Sequence, residues 1–310
     1  MSDVEVRYGA PAPRTPGNDR GWSLDEVRRA IYTLYRRLSP DTVHEFSASI
    51  PAEDVTVRRD EDLISGTQRV AHALVEHLRL PDTRITVTFT PMPPGRAGRV
   101  LLGTGPQYSV EIDSTFVGRR RDIGAVLAHE VTHVFLEYHH MRYEDEILTD
   151  TTAAYLGVGW PLLDSHRTAA YYTERLGYLG SPAFGYALGR RAVAFSEDPL
   201  PWLTSTDARS AYRSGYAVAY QEWTQAPLAS ADPASRRRYD KDLAQVRRRL
   251  DRGAARPHAA AKSDRYAFSG RSPLRVTFNC PICSVRISLP VASRAEICCQ
   301  MCGTLLDCDT

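Results

Sequence analysis

The sequence has no cysteine before position 280, no run of about 18 apolar residues, and no apolar stretch behind its polar start Met1-Ser2-Asp3-Val4-Glu5. Without the long run, a membrane-spanning helix is excluded as an expectation. Without the early apolar stretch, a secretory signal is not expected. Without cysteine, the first 279 residues hold no disulfide framework. Net charge is also lacking: +2 over 310 residues gives no global field that would favour nucleic acid. All six cysteines fall in the last 31 residues, four of them in two Cys-x-x-Cys pairs. That usage reads as metal binding in a reducing compartment, and a cytoplasmic location is expected.

What is present centres on Ile123–Tyr138, an apolar stretch without proline that contains His129-Glu130-Val131-Thr132-His133. On a helix, positions four apart lie one turn apart on one face. Two imidazoles at that spacing can converge on one zinc ion at about 2.0–2.1 Å each. Glu130 projects beside them, placed to take a proton from a water that the metal activates. A hydrolytic site needs a third protein ligand and an open position. Downstream, Glu146 and Asp150 sit four apart on a second expected helix that Ala153, Ala154 and Leu156 continue. Glu146 can supply the ligand. Asp150 can accept the outer N–H of a ligating ring and so fix its tautomer. Glu144 and Asp145 are competing carboxylates. His139 and His140 read as helix-end residues favoured by the dipole rather than as ligands.

With these motifs the chain resembles the compact gluzincin metallopeptidases, the HtpX-like, minigluzincin and IrrE-like proteins, over roughly residues 80–160. The resemblance implies His129, His133 and Glu146 as zinc ligands, Glu130 as general base and Asp150 behind the ligands. It also implies a tyrosine, histidine or arginine near the metal to stabilise an oxyanion. Tyr186, Tyr178 and His166 are the candidates.

In chain order, residues 1–22 are rich in Pro, Gly and Arg and read as a flexible tail. Ser23 and Glu26 form a capping-box pattern ahead of a helix over Leu24–Leu38. A second helix is expected over Leu63–Leu80, stopped by Pro81. Strands are expected at Arg84–Thr90, Arg99–Gly103 and Gln107–Asp113. Gln107–Asp113 is the candidate edge strand for pairing with an extended substrate. Arg119-Arg120-Arg121 reads as a loop without a role. Helices follow from Ser181, over 207–225 and over 234–252, the last with two Arg triplets. The expected class is α+β: a small mixed sheet on zincin-like helices, a mostly helical second half, and a C-terminal module. The expected domains are a metallopeptidase over 23–253, a linker over 254–273 and a zinc ribbon over 274–310.

The ribbon rests on Cys280-x-x-Cys283 and Cys299-x-x-Cys302, with fifteen residues between the pairs. That is the spacing of a four-cysteine zinc site, and such a short piece needs the ion to hold it. Cys298 can exchange with Cys299, and Cys308 is spare. The expected function is a zinc endopeptidase with one catalytic and one structural zinc, acting on a peptide or protein substrate. Two alternatives stand beside it: a non-catalytic binding or regulatory protein on the same fold, and a SprT-like protease acting on DNA-bound proteins. In each, the ribbon has a protein or nucleic-acid partner and no membrane is involved.

Overall fold

A computed structural model describes residues 24–103, 105–169, 172–174, 176–252, 265–292 and 294–310. The expected tail, the expected Ser23 cap and residues 254–264 of the expected linker lie outside the described residues. The chain divides into two compact units, Met1–Tyr216 and Ala217–Thr310. It is α+β, and among the described residues no helix is long and apolar enough to cross a membrane.

The first unit opens with α1 (Leu24–Arg37), which buries Val27, Ala30, Ile31, Leu34 and Tyr35 at helical spacing. Asp25 and Glu26 in its first turn and Arg36 and Arg37 in its last complement the helix dipole. After the short α2 (Pro40–His44) comes α3 (Leu63–His77), capped by the Asp62 side chain, which accepts from Ser65 N at 2.9 Å. It stops short of the expected Leu80. Arg79 turns left-handed (φ 50°) and Leu80 N donates back to Val75 O at 3.1 Å, closing the helix before Pro81 is reached.

Three strands follow: β1 (Arg84–Thr90), β2 (Gly98–Leu101) and β3 (Gln107–Asp113). Their order is β1-β3-β2, with β1 parallel and β2 antiparallel to β3. The expectation that Gln107–Asp113 is an edge strand is therefore corrected: it is central, and Val110 and Ile112 are fully buried. The hairpin to β2 takes one side of β3 and the parallel pairing to β1 takes the other. The two edges differ. The outer side of β1 is covered by the Gln68 amide, which donates to Ile85 O and accepts from Val87 N at 3.3 Å. β2 forms the other edge and packs on the next helix.

That helix is α4 (Arg120–Tyr138), buried without interruption from Asp122 to Leu136. A helix apolar on all sides belongs in the centre of a unit. Gly124 lets it approach the Val55 carbonyl so closely that a Cβ would stand 2.0 Å from the oxygen. The arginines expected to be an idle loop start and fasten it instead. Arg119 binds Asp122 at 2.7 Å, Arg120 donates to Glu61 O at 2.8 Å, and Arg121 reaches Asp164 at 3.0 Å. Beyond it lie α5 (Glu146–Tyr155), α6 (Trp160–Asp164), a short hairpin of β4 (Arg167–Ala169) and β5 (Tyr172–Glu174), α7 (Ser181–Phe195) and α8 (Thr206–Trp223). Buried Arg191 of α7 donates to Tyr155 O at 2.6 Å and pairs with Glu197 at 3.0 Å, which ties the end of α5 in place.

In the second unit, α9 (Pro233–Asp251) is capped by Asp232, which accepts from Ala234 N and Ser235 N at 2.9 Å each. It buries Tyr239, Leu243, Val246 and Leu250. β6 (Tyr266–Ser269), β7 (Arg275–Asn279) and β8 (Arg286–Pro290) form an antiparallel sheet, and β9 (Arg294–Cys298) pairs with β10 (Leu305–Asp309). β6 lies in the stretch expected to be linker. It carries Tyr266 and Phe268 onto the Tyr239 ring, with centroids 5.1 and 5.4 Å away.

α7 and α8 cross at Gly185 and Gly215, where an added Cβ at Gly185 would lie 2.2 Å from Ala211 O. Backbone cannot yield as a side chain can, so Gly185→Ala is expected to destabilise the protein by about 1–3 kcal/mol. Gly118→Ala, with nothing within 4 Å of its Cβ, is expected to stay within about 0.5 kcal/mol of the parent. Urea denaturation of the two variants checks this.

Candidate metal centres

α4 and α5 bring three ligand atoms together. His129 Nε2 and His133 Nε2 are 3.2 Å apart, and Glu146 Oε2 stands 3.2 and 3.3 Å from them. The i, i+4 spacing on α4 aligns the two rings, and Glu146 enters as the first residue of α5. The edge of a tetrahedron is about 1.6 times its bond length, or about 3.3–3.4 Å for zinc–nitrogen bonds of about 2.0–2.1 Å. The observed triangle matches one face of such a tetrahedron.

The hydrogen bonds behind the rings set their tautomers. His133 Nδ1 lies 2.8 Å from Tyr143 O, and a carbonyl only accepts, so Nδ1 carries the proton. His129 Nδ1 lies 2.9 Å from Asp150 Oδ1. The other oxygen of Asp150, Oδ2, accepts from Tyr178 N and Leu179 N. With Nδ1 bonded outward, both rings turn Nε2 toward each other and toward the Glu146 carboxylate. Three lone pairs at this separation require a positive charge among them. The electrostatics agree. Burial opposes charge on His129, yet Asp150 and Glu146 outweigh it and raise its affinity for a proton well above the ordinary imidazole range. Burial likewise opposes charge on Glu146, and the two imidazoles still hold its carboxyl down to about 2. One divalent cation meets both demands.

Glu130 is 0% exposed, and among the described residues neither of its carboxylate oxygens has a hydrogen-bond partner. Burial raises its affinity for a proton, while the two imidazoles and Arg96 pull the other way. An orphaned carboxylate in a dry interior is expensive to keep unless a ligand uses it. Gly98 of β2 is its neighbour across the sheet: a Cβ there would stand 2.5 Å from Val126 Cγ1 and 3.1 Å from Glu130 Oε1.

The competing residues separate. Asp145 caps α5 by accepting from Leu148 N at 3.1 Å, and Glu144 is not part of the ligand triangle. His139 ends α4 against Phe135, and His140 turns left-handed at φ 51°. Of the three oxyanion candidates, only Tyr178 is brought to the centre. Its ring stacks on His129 at 5.9 Å, and burial together with Glu146 keeps its phenol proton on. Tyr186 accepts from Arg28 at 3.0 Å and Arg190 at 2.7 Å. His166 is committed to Ser181 at 2.8 Å and Leu176 O at 3.2 Å. Sequence reasoning missed Gly98, and it missed Gly177, whose left-handed backbone (φ +85°) brings the Tyr178 loop onto Asp150. The glycines themselves were the signal, each beside a site residue in space but distant in sequence.

The second centre joins Cys280, Cys283, Cys299 and Cys302, whose sulfurs lie within 4.8 Å of one another. Cys280–Cys302 is 3.7 Å and Cys283–Cys299 is 3.6 Å. A disulfide needs about 2.05 Å, whereas a tetrahedron with zinc–sulfur bonds of about 2.3 Å has edges of about 3.7 Å. The two knuckles repeat one backbone pattern. Ser284 N donates to Cys280 O and Cys280 N to Val285 O; Gly303 N donates to Cys299 O and Cys299 N to Thr304 O. Ser284 and Gly303 are both left-handed. Cys298 is exposed and Cys308 buried, both outside the quartet. Among the described residues these two groups are the only clusters of this kind.

No protein-family model, no curated protein and no solved structure matches the chain.

If Asp150 orients His129 from behind, Asp150→Ala should weaken metal binding at the histidine centre by about 10–100-fold and leave the cysteine centre loaded. Cys280→Ser should do the reverse. Metal analysis after graded chelation distinguishes the two losses.

Proposed function

We propose that the protein is a zinc-dependent peptidase of the gluzincin type, with a second, structural zinc in the cysteine centre. The observation that carries this reading is the pairing of an N,N,O ligand triangle with a fully buried, unpartnered Glu130. Neutral imidazole and carboxylate at one centre and four thiolates at the other are both donor sets that suit zinc. The open fourth position of the first centre fits catalysis, and the closed quartet of the second fits structure. Six cysteines without a disulfide also suit a reducing compartment, which supports a cytoplasmic location.

When bound, zinc supplies Lewis acidity that lowers the pKa of water and polarises a carbonyl. The chain supplies the rest. Glu130, raised by burial toward neutrality, takes the proton of the attacking water and returns it to the departing amine. Asp150 and the Tyr143 carbonyl bond the Nδ1 atoms of His129 and His133 and so hold both Nε2 atoms toward the metal position. Tyr178 keeps its phenol proton and can donate it to a developing oxyanion.

Substrate is expected on the β2 edge, because the β1 edge is already occupied by Gln68. In the antiparallel pairing, Arg99 and Leu101 face β3, so Gly98 and Val100 direct their backbone groups outward. An extended peptide can add there as a fourth strand with little demand on its sequence. A groove of about 740 Å³ between α1 and α5, with Glu146 and Tyr178 in its wall, accommodates the side chains that follow.

Glu130→Gln is expected to keep the fold and both metal ions while peptide cleavage falls by about 10²–10⁴. Mapping of newly formed protein termini in cells carrying the parent or this variant reads the loss; unchanged termini would sink the peptidase reading. Gly98→Ala is expected to retain metal and lower kcat, since its Cβ would push on Val126 of α4 at 2.5 Å and crowd Glu130 Oε1 at 3.1 Å. A variant with full kcat would remove the role given to that close approach.

A further inference from the structure

The near-neutral total conceals a division. The 94 residues of the second unit carry 15 Lys and Arg against 9 Asp and Glu, while the remainder carries 24 against 28. Several acids of the second unit are committed locally. Asp232 caps α9, Asp242 accepts the Tyr266 hydroxyl at 2.8 Å, Asp307 pairs with Arg294, and Asp309 lies 3.6 Å from Arg236.

The sheet β6-β7-β8 has two unlike faces. Tyr266, Phe268, Val276 and Phe278 are buried, with Tyr266 and Phe268 against Tyr239 of α9. The other face follows from the register. Thr277 lies opposite Ala267 and Ser288, and Asn279 opposite Arg286. Arg275 shares this face and donates to Ser288 O at 2.7 Å. Arg265, one residue before β6, joins Thr277, Asn279 and Arg286 along a groove of about 400 Å³. None of the residues of β6, β7 and β8 is acidic.

We infer that the outer face of β6-β7-β8 binds the phosphate backbone of a nucleic-acid duplex through Arg265, Arg275 and Arg286. Arginine, asparagine, threonine and serine are the side chains that contact phosphate and sugar, and phosphate contacts carry no sequence information. Small side chains between the arginines leave room for close approach. Strands about 4.8 Å apart set Arg265 and Arg286 roughly 10 Å apart, a span suited to successive charges along a backbone. The aromatic rings face inward, so the platform on which unpaired bases would stack is missing, and that favours a duplex over a single strand. This surface does not depend on the peptidase reading.

The test uses the full-length, metal-loaded chain and a fluorescein-labelled 20-base-pair DNA duplex, followed by anisotropy at several salt concentrations. Three phosphate contacts predict a log–log salt slope near −2.7, or about 40-fold weaker binding at 200 mM than at 50 mM salt. The R265A/R275A/R286A triple variant should bind at least tenfold more weakly at 50 mM salt and lose most of that slope. Arg286→Ala alone, exposed at the end of β8, should flatten the slope by about 1 and covers the case in which the triple variant misfolds. The R237A/K241A/R248A variant removes equal charge from the exposed side of α9, turned away from the sheet, and should lose less than threefold. Equal losses from the two triple variants would reduce the effect to diffuse attraction and overturn the assignment. So would absence of duplex binding, tighter binding of a single strand, or displacement of the duplex by poly-glutamate at matched charge, which would indicate an acidic protein partner.

Discussion

Three lone pairs 3.2–3.3 Å apart in a buried pocket repel one another, and the first unit is built to hold them there. A positive charge among them, a metal ion or a proton on His129, makes that arrangement favourable. The restraint comes from the two sides of the pocket. α4 is locked by burial along its whole inner length and by three arginines at its start. α5 is capped by Asp145 at its beginning and gripped by Arg191 at its end. Neither helix can turn its candidate ligand away without breaking contacts elsewhere, so a bound ion would add its binding free energy to the packing of the two helices.

Asp150 extends this constraint outward. One carboxylate oxygen holds the His129 tautomer; the other accepts two backbone N–H groups from the loop that carries Tyr178. The side chain that orients a ligand therefore also positions the ring stacked on that ligand. Gly177 is the local condition for this, because a side chain at that residue would meet the Asp150 carboxylate. The cysteine centre solves a related problem with less help. Its strands are short and their outward residues exposed, so the four sulfurs substitute for the core that so small a sheet cannot bury.

Features with a short sequence period were readable in advance. The four-residue spacings of His129 with His133 and of Glu146 with Asp150 are helix geometry, and the paired Cys-x-x-Cys spacings are knuckle geometry. The strands Arg84–Thr90 and Gln107–Asp113 were legible to the residue from their β-branched alternation. Their order in the sheet was not, since it depends on which edge a distant segment reaches first. The same limit applies to Arg119–Arg121. Nothing local distinguishes a solvated basic run from one whose carboxylate and carbonyl partners lie up to about 60 residues away. Tyr178, Tyr186 and His166 looked equivalent in the sequence because their difference lies in the loop path, which Asp150 and Gly177 determine from a distance.

The asymmetry of the sheet edges connects fold to use. An uncovered edge strand invites pairing with any extended chain, and natural sheets suppress that tendency. Here the suppression is selective: Gln68 occupies the ladder groups of β1, the edge on the α3 side. β2 is left as the edge that packs on the metal-bearing helix, with a glycine where its backbone meets Glu130. A glycine weakens a strand by removing a side chain that could pack. Its retention at the one point where strand and carboxylate meet is understandable if close approach there matters more than strand stability. Under the proposed peptidase reading, β2 would be the recognition edge, its approach to α4 allowed by the absence of a Cβ at Gly98.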